Sequence, residues 1–351
     1  MKAIKNVLYL LAAFVTVMLS SCSNDDMHLD ISVNFNVDPS SVVSSFVEVT
    51  PGDISNLAMY DAKLRIRLFI YNEQGNLVVS DYAFSNDYTH IKQFKVNLPN
   101  GKYTTVAITD VVFNDGTETY TLSRQDNLTT MTLTYRDSIG GIASILGLTA
   151  EQRQIDSYSK DFVLKVKPAG ALIVCRIDNW NCNNSIEFPF DNITKYHLVS
   201  NKLNSGLTLD SYGNPLYSVN TTSILGYHWF SESRHPAFEF GHGYQFQFPT
   251  QNVSLMFLGV NSKNQTLPLG KSEVFDIVEG EEYYIIYDKL KHTVSLKSNV
   301  TAMVMKKAHE CSAVMTDSVY DFTKQSLSIA VSEGVSIKPI DYLKQKQAHE
   351  D

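Results

Sequence analysis

The sequence predicts an all-β protein: two tandem antiparallel β-sandwich domains behind a short N-terminal export signal. Three observations predict it. Alternating apolar and polar residues recur along the chain, separated by turns rich in Gly, Asn and Pro. Helical periodicity is hard to find beyond the first apolar run. The length of 351 residues, 44% of them hydrophobic, suits two domains with real cores better than one. The expected division is 1–21 for the signal, 22–29 for a linker, 30–160 and 161–300 for the sandwiches, and 301–351 for a C-terminal extension that either adds edge strands or ends in a mobile polar segment, Lys344 to Asp351.

The N-terminus has the three parts of a secretory signal. Lys2 and Lys5 make a positive start, Val7 to Leu19 an apolar run, and Ser20 and Ser21 a small-residue end. In a helix that run rises only about 20 Å, short of the ~30 Å hydrocarbon core of a membrane. The seam that follows, Leu19-Ser20-Ser21-Cys22, resembles a bacterial lipobox, in which Cys22 is diacylated and becomes the new N-terminus. A thiol suits this role because sulfur forms the thioether to the lipid, and two or three acyl chains hold a protein on a membrane stably. Residues 22–29 then form a lipidated linker. Ser23-Asn24-Asp25-Asp26 is similar to the acidic export signal of Bacteroidetes lipoproteins, with Ser23, Asp25 and Asp26 as its carriers. That resemblance implies the outer face of the outer membrane.

The first block reads as strands and turns. Leu64 to Tyr71 begins with a period of two. Asn72-Glu73-Gln74-Gly75-Asn76 supplies a turn, and Leu77-Val78-Val79 resumes, which predicts a hairpin. Phe94, Val96 and Leu98 alternate, Pro99-Asn100-Gly101 turns, and Tyr103 to Ile108 is rich in β-branched residues. Leu128 to Tyr135 is a further strand candidate, and Ile139 to Leu148 reads as a short helix or a loop.

The second block opens at Asp161. Phe162 to Lys167 alternates, Pro168-Ala169-Gly170 breaks it, and Ala171 to Ile177 runs apolar. The clearest alternation is AFEFGHGYQFQF, Ala237 to Phe248. It places Phe238, Phe240, His242, Tyr244, Phe246 and Phe248 on one face and Gln245 and Gln247 on the other, as a half-buried antiparallel strand requires. Val253–Val260, Tyr283–Tyr287 and Thr293–Leu296 add strands. In the extension, Leu327, Ile329 and Val331 alternate, so Ser326 to Ile337 is a candidate strand.

Reactive constellations are scarce. No HExxH, GxSxG, P-loop, EF-hand or strand-linked GxGxxG pattern occurs, so the expectation is a non-enzyme with no catalytic residue, cofactor or metal. His228, His235 and His242, each seven apart among aromatics, fit a metal site or a sugar-stacking surface, and fit more simply a β core that carries histidines. Cys175 and Cys182 form a disulfide only if a bend brings them together, and Cys311 is left over. Asp137-Ser138-Ile139 and Asp317-Ser318-Val319 resemble the O-glycosylation motif of Bacteroidetes secreted proteins, with Ser138 and Ser318 as acceptors. A net charge of -8, spread along the chain, argues against a nucleic-acid binder, which would need a basic face.

Three pieces together resemble the fimbrillin superfamily, specifically the FimB/Mfa2-type subunits that anchor type V pili. They are the lipobox with its acidic follow-on, the hairpin LRIRLFIYNEQGNLV (Leu64 to Val78), and the strand entry LPNGKYTTVAI (Leu98 to Ile108). The resemblance implies two transthyretin-like β-sandwiches and a non-enzymatic anchor or accessory subunit held in the outer membrane through the lipid on Cys22. It implies pilin subunits as partners, engaged by β-strand addition, and host or bacterial surface ligands as a further partner class. The competing reading is a surface glycan-binding lipoprotein of a polysaccharide-uptake system. The two differ in their aromatics: a glycan binder exposes several on one face, whereas an anchor buries them, and Trp180 and Trp229 are the residues to watch.

Overall fold

β-Branched and aromatic residues at alternate positions need a sheet with something packed on at least one face. The computed structural model supplies this and describes residues 30–46, 49, 56–135, 144–178, 193–200, 203–219, 242–261, 266–288, 291 and 293–298. Apart from a five-residue helix α1 (Ser40–Ser44), a 3-10 turn at Leu57–Tyr60 and Ser144 in 3-10 conformation, the regular structure of the described residues is β.

The first strands are β1 (Ile31–Asp38), β2 (Ala62–Asn72), β3 (Leu77–Ser85), β4 (Lys92–Leu98) and β5 (Gly101–Phe113). They are followed by β6 (Tyr120–Ser123), β7 (Thr132–Tyr135), β8 (Gly147–Ile155), β9 (Asp161–Lys165) and β10 (Lys167–Pro168). Two sheets arise, β4-β1-β9 and β10-β8-β5-β2-β3. Val33, Phe35 and Val37 of β1 and Leu64, Ile66, Leu68 and Ile70 of β2 are fully buried in one core. Each such side chain contributes about 1.5–3 kcal/mol by leaving water.

The other face of β2 is buried as well. Tyr71 donates its hydroxyl to the Gln125 carbonyl at 3.0 Å, so the segment after β6 covers this face. That is why the strand begins with alternation and ends as the continuous run Leu68-Phe69-Ile70-Tyr71, all four buried.

The second group comprises β11 (Ala171–Asp178), β12 (Ile193–Val199), β13 (Asn204–Leu209), β14 (Pro215–Val219), β15 (His242–Gln247) and β16 (Thr250–Val253). It ends with β17 (Met256–Asn261), β18 (Thr266–Lys271), β19 (Phe275–Ile277), β20 (Glu282–Asp288) and β21 (Thr293–Ser298). These strands form sheets β15-β11-β20-β21, β12-β17-β18 and β16-β19. A fourth sheet, β14-β13-β7-β6, joins strands from both halves of the chain. Phe257 of β17 stacks on Tyr287 of β20 at 5.6 Å between ring centroids.

The structure refines several expectations. Pairing is mostly antiparallel, but β1–β9 and β11–β20 run parallel, a relation that alternation does not reveal. β9, which begins at Asp161, lies against β1, and β7 lies against β13, so pairing crosses the 160/161 position. The strand expected over Leu128 to Tyr135 starts only at Thr132. Asn127 accepts the Met131 amide at 2.9 Å through its carbonyl and the Thr129 amide at 3.1 Å through its side chain, which makes a turn of residues 127–131. Of the Ile139–Leu148 segment, Ser144 is in 3-10 conformation, Ile145 and Leu146 are outside regular structure, as a short helix or loop requires, and Gly147 and Leu148 begin strand β8; residues 139–143 lie outside the described residues.

The aromatic strand is also different from the expected half-buried one. Gln245 and Gln247 are buried along with Tyr244, Phe246 and Phe248. Their amides are used internally: Gln245 donates to the Tyr135 hydroxyl at 2.9 Å and Gln247 to the Asn204 carbonyl at 2.6 Å. Both NH2 groups therefore have partners, while the Gln245 Oε1 has none among the described residues. Residues 237–241 lie outside the described residues.

Candidate functional site

Most residues singled out from sequence lie outside the described residues: Cys22, Ser23, Asp25, Asp26, Ser138 and Ser318, as well as Cys182, Cys311, Trp180, Trp229, His228, His235 and Ser326–Ile337. His242 is in β15. Cys175 is a buried free thiol in β11, and burial pushes its pKa well up. Among the described residues, no group of three or more His, Cys, Asp or Glu is placed to hold a metal, and no helix is long and apolar enough to cross a membrane.

The described surface does present one organised site, on the β2–β3 hairpin. The turn is fixed locally. Gly75 takes a φ of +79°, which favours glycine, and the Asn72 side chain accepts the amides of Gln74 at 3.1 Å and Asn76 at 2.9 Å. The register that follows sets Tyr82 opposite Arg67 and Phe84 opposite Arg65. Residues directly opposite in an antiparallel pair share a face. β3 is the last strand of its sheet, and Tyr82 and Phe84 are 61% and 47% exposed there. Their rings meet edge to face, 5.6 Å between centroids at 77°. Val78 is also exposed.

Behind the rings is a charged cluster. Arg65 grips Asp110 of β5 with Nε at 3.2 Å and Nη2 at 2.7 Å, and reaches Glu118 with Nη1 at 2.5 Å. Burial alone would lower the Arg65 pKa, but Asp110 and Glu118 hold it above the usual arginine value. Arg67 is more deeply buried, its side chain only 9% exposed, and burial lowers its pKa despite Asp110. Its Nη2 lies 3.0 Å from Asp110 as an ion pair. Among the described residues neither that nitrogen nor Nε has a hydrogen-bond partner, and the Tyr88 hydroxyl has none either. Burial and the nearby Asp110 push the Tyr88 phenol up.

Sequence reading reached this hairpin but not its site. It followed β3 only to Val79, although Val78, Ser80, Tyr82 and Phe84 continue the same parity. It read Arg65 and Arg67 as the polar side of an alternation, because Asp110 lies 45 residues from Arg65. Chemically the arrangement offers an exposed aromatic pair in front of a buried cluster of two arginines neutralised by Asp110 and Glu118.

Among known proteins, no family model and no curated sequence matches the chain. Solved structures with similar coordinates include a candidate adhesin from Bacteroides thetaiotaomicron, at 10% identity and a TM-score of 0.47, covering 77% of this chain and 95% of that one. The fimbrial anchor protein Mfa2 from Porphyromonas gingivalis shows 9% identity and a TM-score of 0.41, covering 77% and 97%. The tip fimbrial protein Mfa3 from the same organism shows 10% identity and a TM-score of 0.39, covering 77% and 98%. At such identities and TM-scores these likenesses assign no function to the chain.

Proposed function

We propose that this chain is a non-enzymatic surface lipoprotein of the outer membrane, an anchor or accessory subunit of type V pili that engages pilin subunits by β-strand addition. The observation that carries the proposal is the seam at Leu19-Ser20-Ser21-Cys22, followed at once by Ser23-Asn24-Asp25-Asp26 and then by an all-β chain. A short apolar run ending in a cysteine suits a lipid anchor better than a span. Support also comes from the two family-like segments: LRIRLFIYNEQGNLV forms the β2–β3 hairpin, and LPNGKYTTVAI leads into β5, whose Tyr103 is buried. Strand addition uses main-chain hydrogen bonds and alternate side-chain pockets, and the extension at Ser326–Ile337 is the segment with the matching alternation. Ser138 and Ser318 are O-glycan acceptors in this reading.

Cell fractionation with surface protease tests it. Cys22→Ala should release the protein from the membrane fraction and shed pili into the medium. Asp25→Ala with Asp26→Ala should leave it lipidated but shielded from protease. Pili that stay attached at the normal number in Cys22→Ala cells, with the protein gone from the membrane, defeat the anchor role.

A further inference from the structure

We propose that the end of the fold where β1 begins rests on the membrane surface, with the ring of Tyr158 seated at the level of the lipid headgroups. The inference rests on the reading of Cys22 as the lipidated residue, and it adds which end of the fold the lipid brings down. Its first support is the tether. The chain from Cys22 to Ile31, where β1 starts, spans at most about 30 Å even when fully extended.

Strand pairing fixes what lies at that end. Ile31 pairs with Leu98 and Gly101 with Ile155, and the Lys160 carbonyl accepts the Asn34 amide at 2.7 Å. The turn of residues 99–101 and the loop of residues 156–160 therefore stand beside the start of β1. Asn72, the last residue of β2, pairs with Tyr103 and so lies toward the same end. The opposite end, where β2 starts, is about 36 Å further off, the length of its eleven residues.

The second support is Tyr158 itself. Its side chain is 94% exposed, on a loop that is fixed locally. Asp156 Oδ1 accepts the amides of Tyr158 and Ser159, each at 2.8 Å, and so closes the turn that carries the ring. Tyrosine has an apolar body and a polar hydroxyl, and such residues gather where headgroups meet hydrocarbon. One ring holds a bilayer weakly. A short tether raises its effective concentration to the order of millimolar, so weak affinity suffices.

Charge at this end favours no anionic partner. Lys102 and Lys160 are offset by Asp30, Asp156 and Asp161, so the contact expected is with neutral headgroups and is insensitive to salt. Other exposed apolar residues lie elsewhere. Met59 precedes β2 and Ile91 precedes β4, both at the far end, and Tyr82 pairs with Arg67 partway along the hairpin. Tyr82 is therefore an internal control.

The test is hydroxyl-radical footprinting read by mass spectrometry. The full chain, purified from its membrane, is reconstituted in vesicles of equal parts phosphatidylethanolamine and phosphatidylcholine. The reference is a chain beginning at Ser23, which lacks the lipid and keeps every described residue, mixed with the same vesicles. Oxidation of Tyr158 should fall several-fold in the vesicle-bound chain, with Tyr82 unchanged. Lys102 and Lys160 should likewise be shielded from acetylation by a membrane-impermeant reagent. Tyr158→Trp should keep that shielding, and Tyr158→Asp should abolish it. The same spectra report acylation of Cys22, which separates the two readings. With Cys22 acylated, equal oxidation of Tyr158 in both chains overturns the membrane contact and leaves the lipid reading standing, whether the ring is open in both or covered in both by a second copy. An unmodified Cys22 overturns the lipid reading and this inference with it.

Discussion

Arg65 and Asp110 face one another across β2 and β5, and the guanidinium grips both carboxylate oxygens, at 3.2 and 2.7 Å. Asp110 has no exposure to solvent and also neutralises Arg67. Removing that carboxylate leaves two cations in a buried site with only Glu118 to answer them. Breaking a buried ion pair from one side costs about 3–5 kcal/mol. Asp110→Ala should therefore lower the unfolding free energy from urea denaturation by an amount in that range, whereas Asp110→Ala combined with Arg65→Leu and Arg67→Leu should recover part of it. A single Asp110→Ala variant as stable as the parent would mean the cluster is not a structural element.

Gly170 marks the close approach of the chain to β15. A Cβ placed there would lie 2.3 Å from the Gln247 carbonyl oxygen, and backbone cannot yield as a flexible side chain can. Gly170→Ala should cost about 1–3 kcal/mol as overpacking does. Gly116, with nothing within 4 Å of an added Cβ, is the contrasting position. Its φ of +85° makes Gly116→Ala costly only through backbone strain. Chemical denaturation of both variants should rank Gly170→Ala as at least equally destabilised.

How far the fold is legible in the sequence depends on where each signal is located. The Asn72–Asn76 turn is legible because Gly75 and Asn72 fix it within five residues. β8 is not: Glu151, Gln152, Arg153 and Gln154 hide its alternation, and what stabilises it is pairing with β5, remote in sequence. Gln245 and Gln247 read as a solvent face because their partners, Tyr135 and Asn204, lie 110 and 43 residues away. The same distance problem hides the hairpin site. Tyr82 and Phe84 alternate visibly, but only pairing with β2 shows that Arg67 stands beside them.

Acid should loosen the turns before the core. Asp156 accepts the amides of Tyr158 and Ser159, each at 2.8 Å, and these bonds to the Tyr158 and then the Ser159 backbone lower its pKa. The Asn214 side chain, with the Asn214, Tyr212 and Gly213 amides, lowers that of Asp210, and the Thr117 amide lowers that of Asp115. A carboxyl depressed by folding contributes stability that is complete above its unfolded value, about 3.9, and is lost as pH falls through the lower folded value. The urea midpoint should thus fall on acidification below about pH 4. The triple variant Asp115→Asn, Asp156→Asn, Asp210→Asn should show a flatter decline, because the amide keeps the acceptor oxygen and loses the titration. A decline of unchanged slope in the triple variant would assign acid sensitivity to other groups.

Glu279 has the opposite sign. Burial raises its pKa, against the lowering effects of the Tyr217 hydroxyl, which donates to its Oε2 at 3.4 Å, and of Lys167. Tyr217 also meets the Ala169 carbonyl at 3.3 Å, so its one proton is shared between two acceptors and satisfies the carboxylate only in part. A carboxyl raised by folding binds its proton more tightly in the folded state. Its stabilisation is complete below the unfolded value, about 4.3, and is lost as pH rises through the higher folded value. At neutral pH Glu279 is therefore a net cost to the fold. Glu279→Gln should stabilise the protein at pH 7 by at most about 1 kcal/mol, since the carboxylate is exposed enough for solvent to screen it. The gain should vanish below about pH 4, where the parent carboxyl is itself neutral. Urea midpoints of parent and variant at the two pH values decide it: a variant less stable than the parent at pH 7 would show that the charged form, paired with Lys167, is the favoured one.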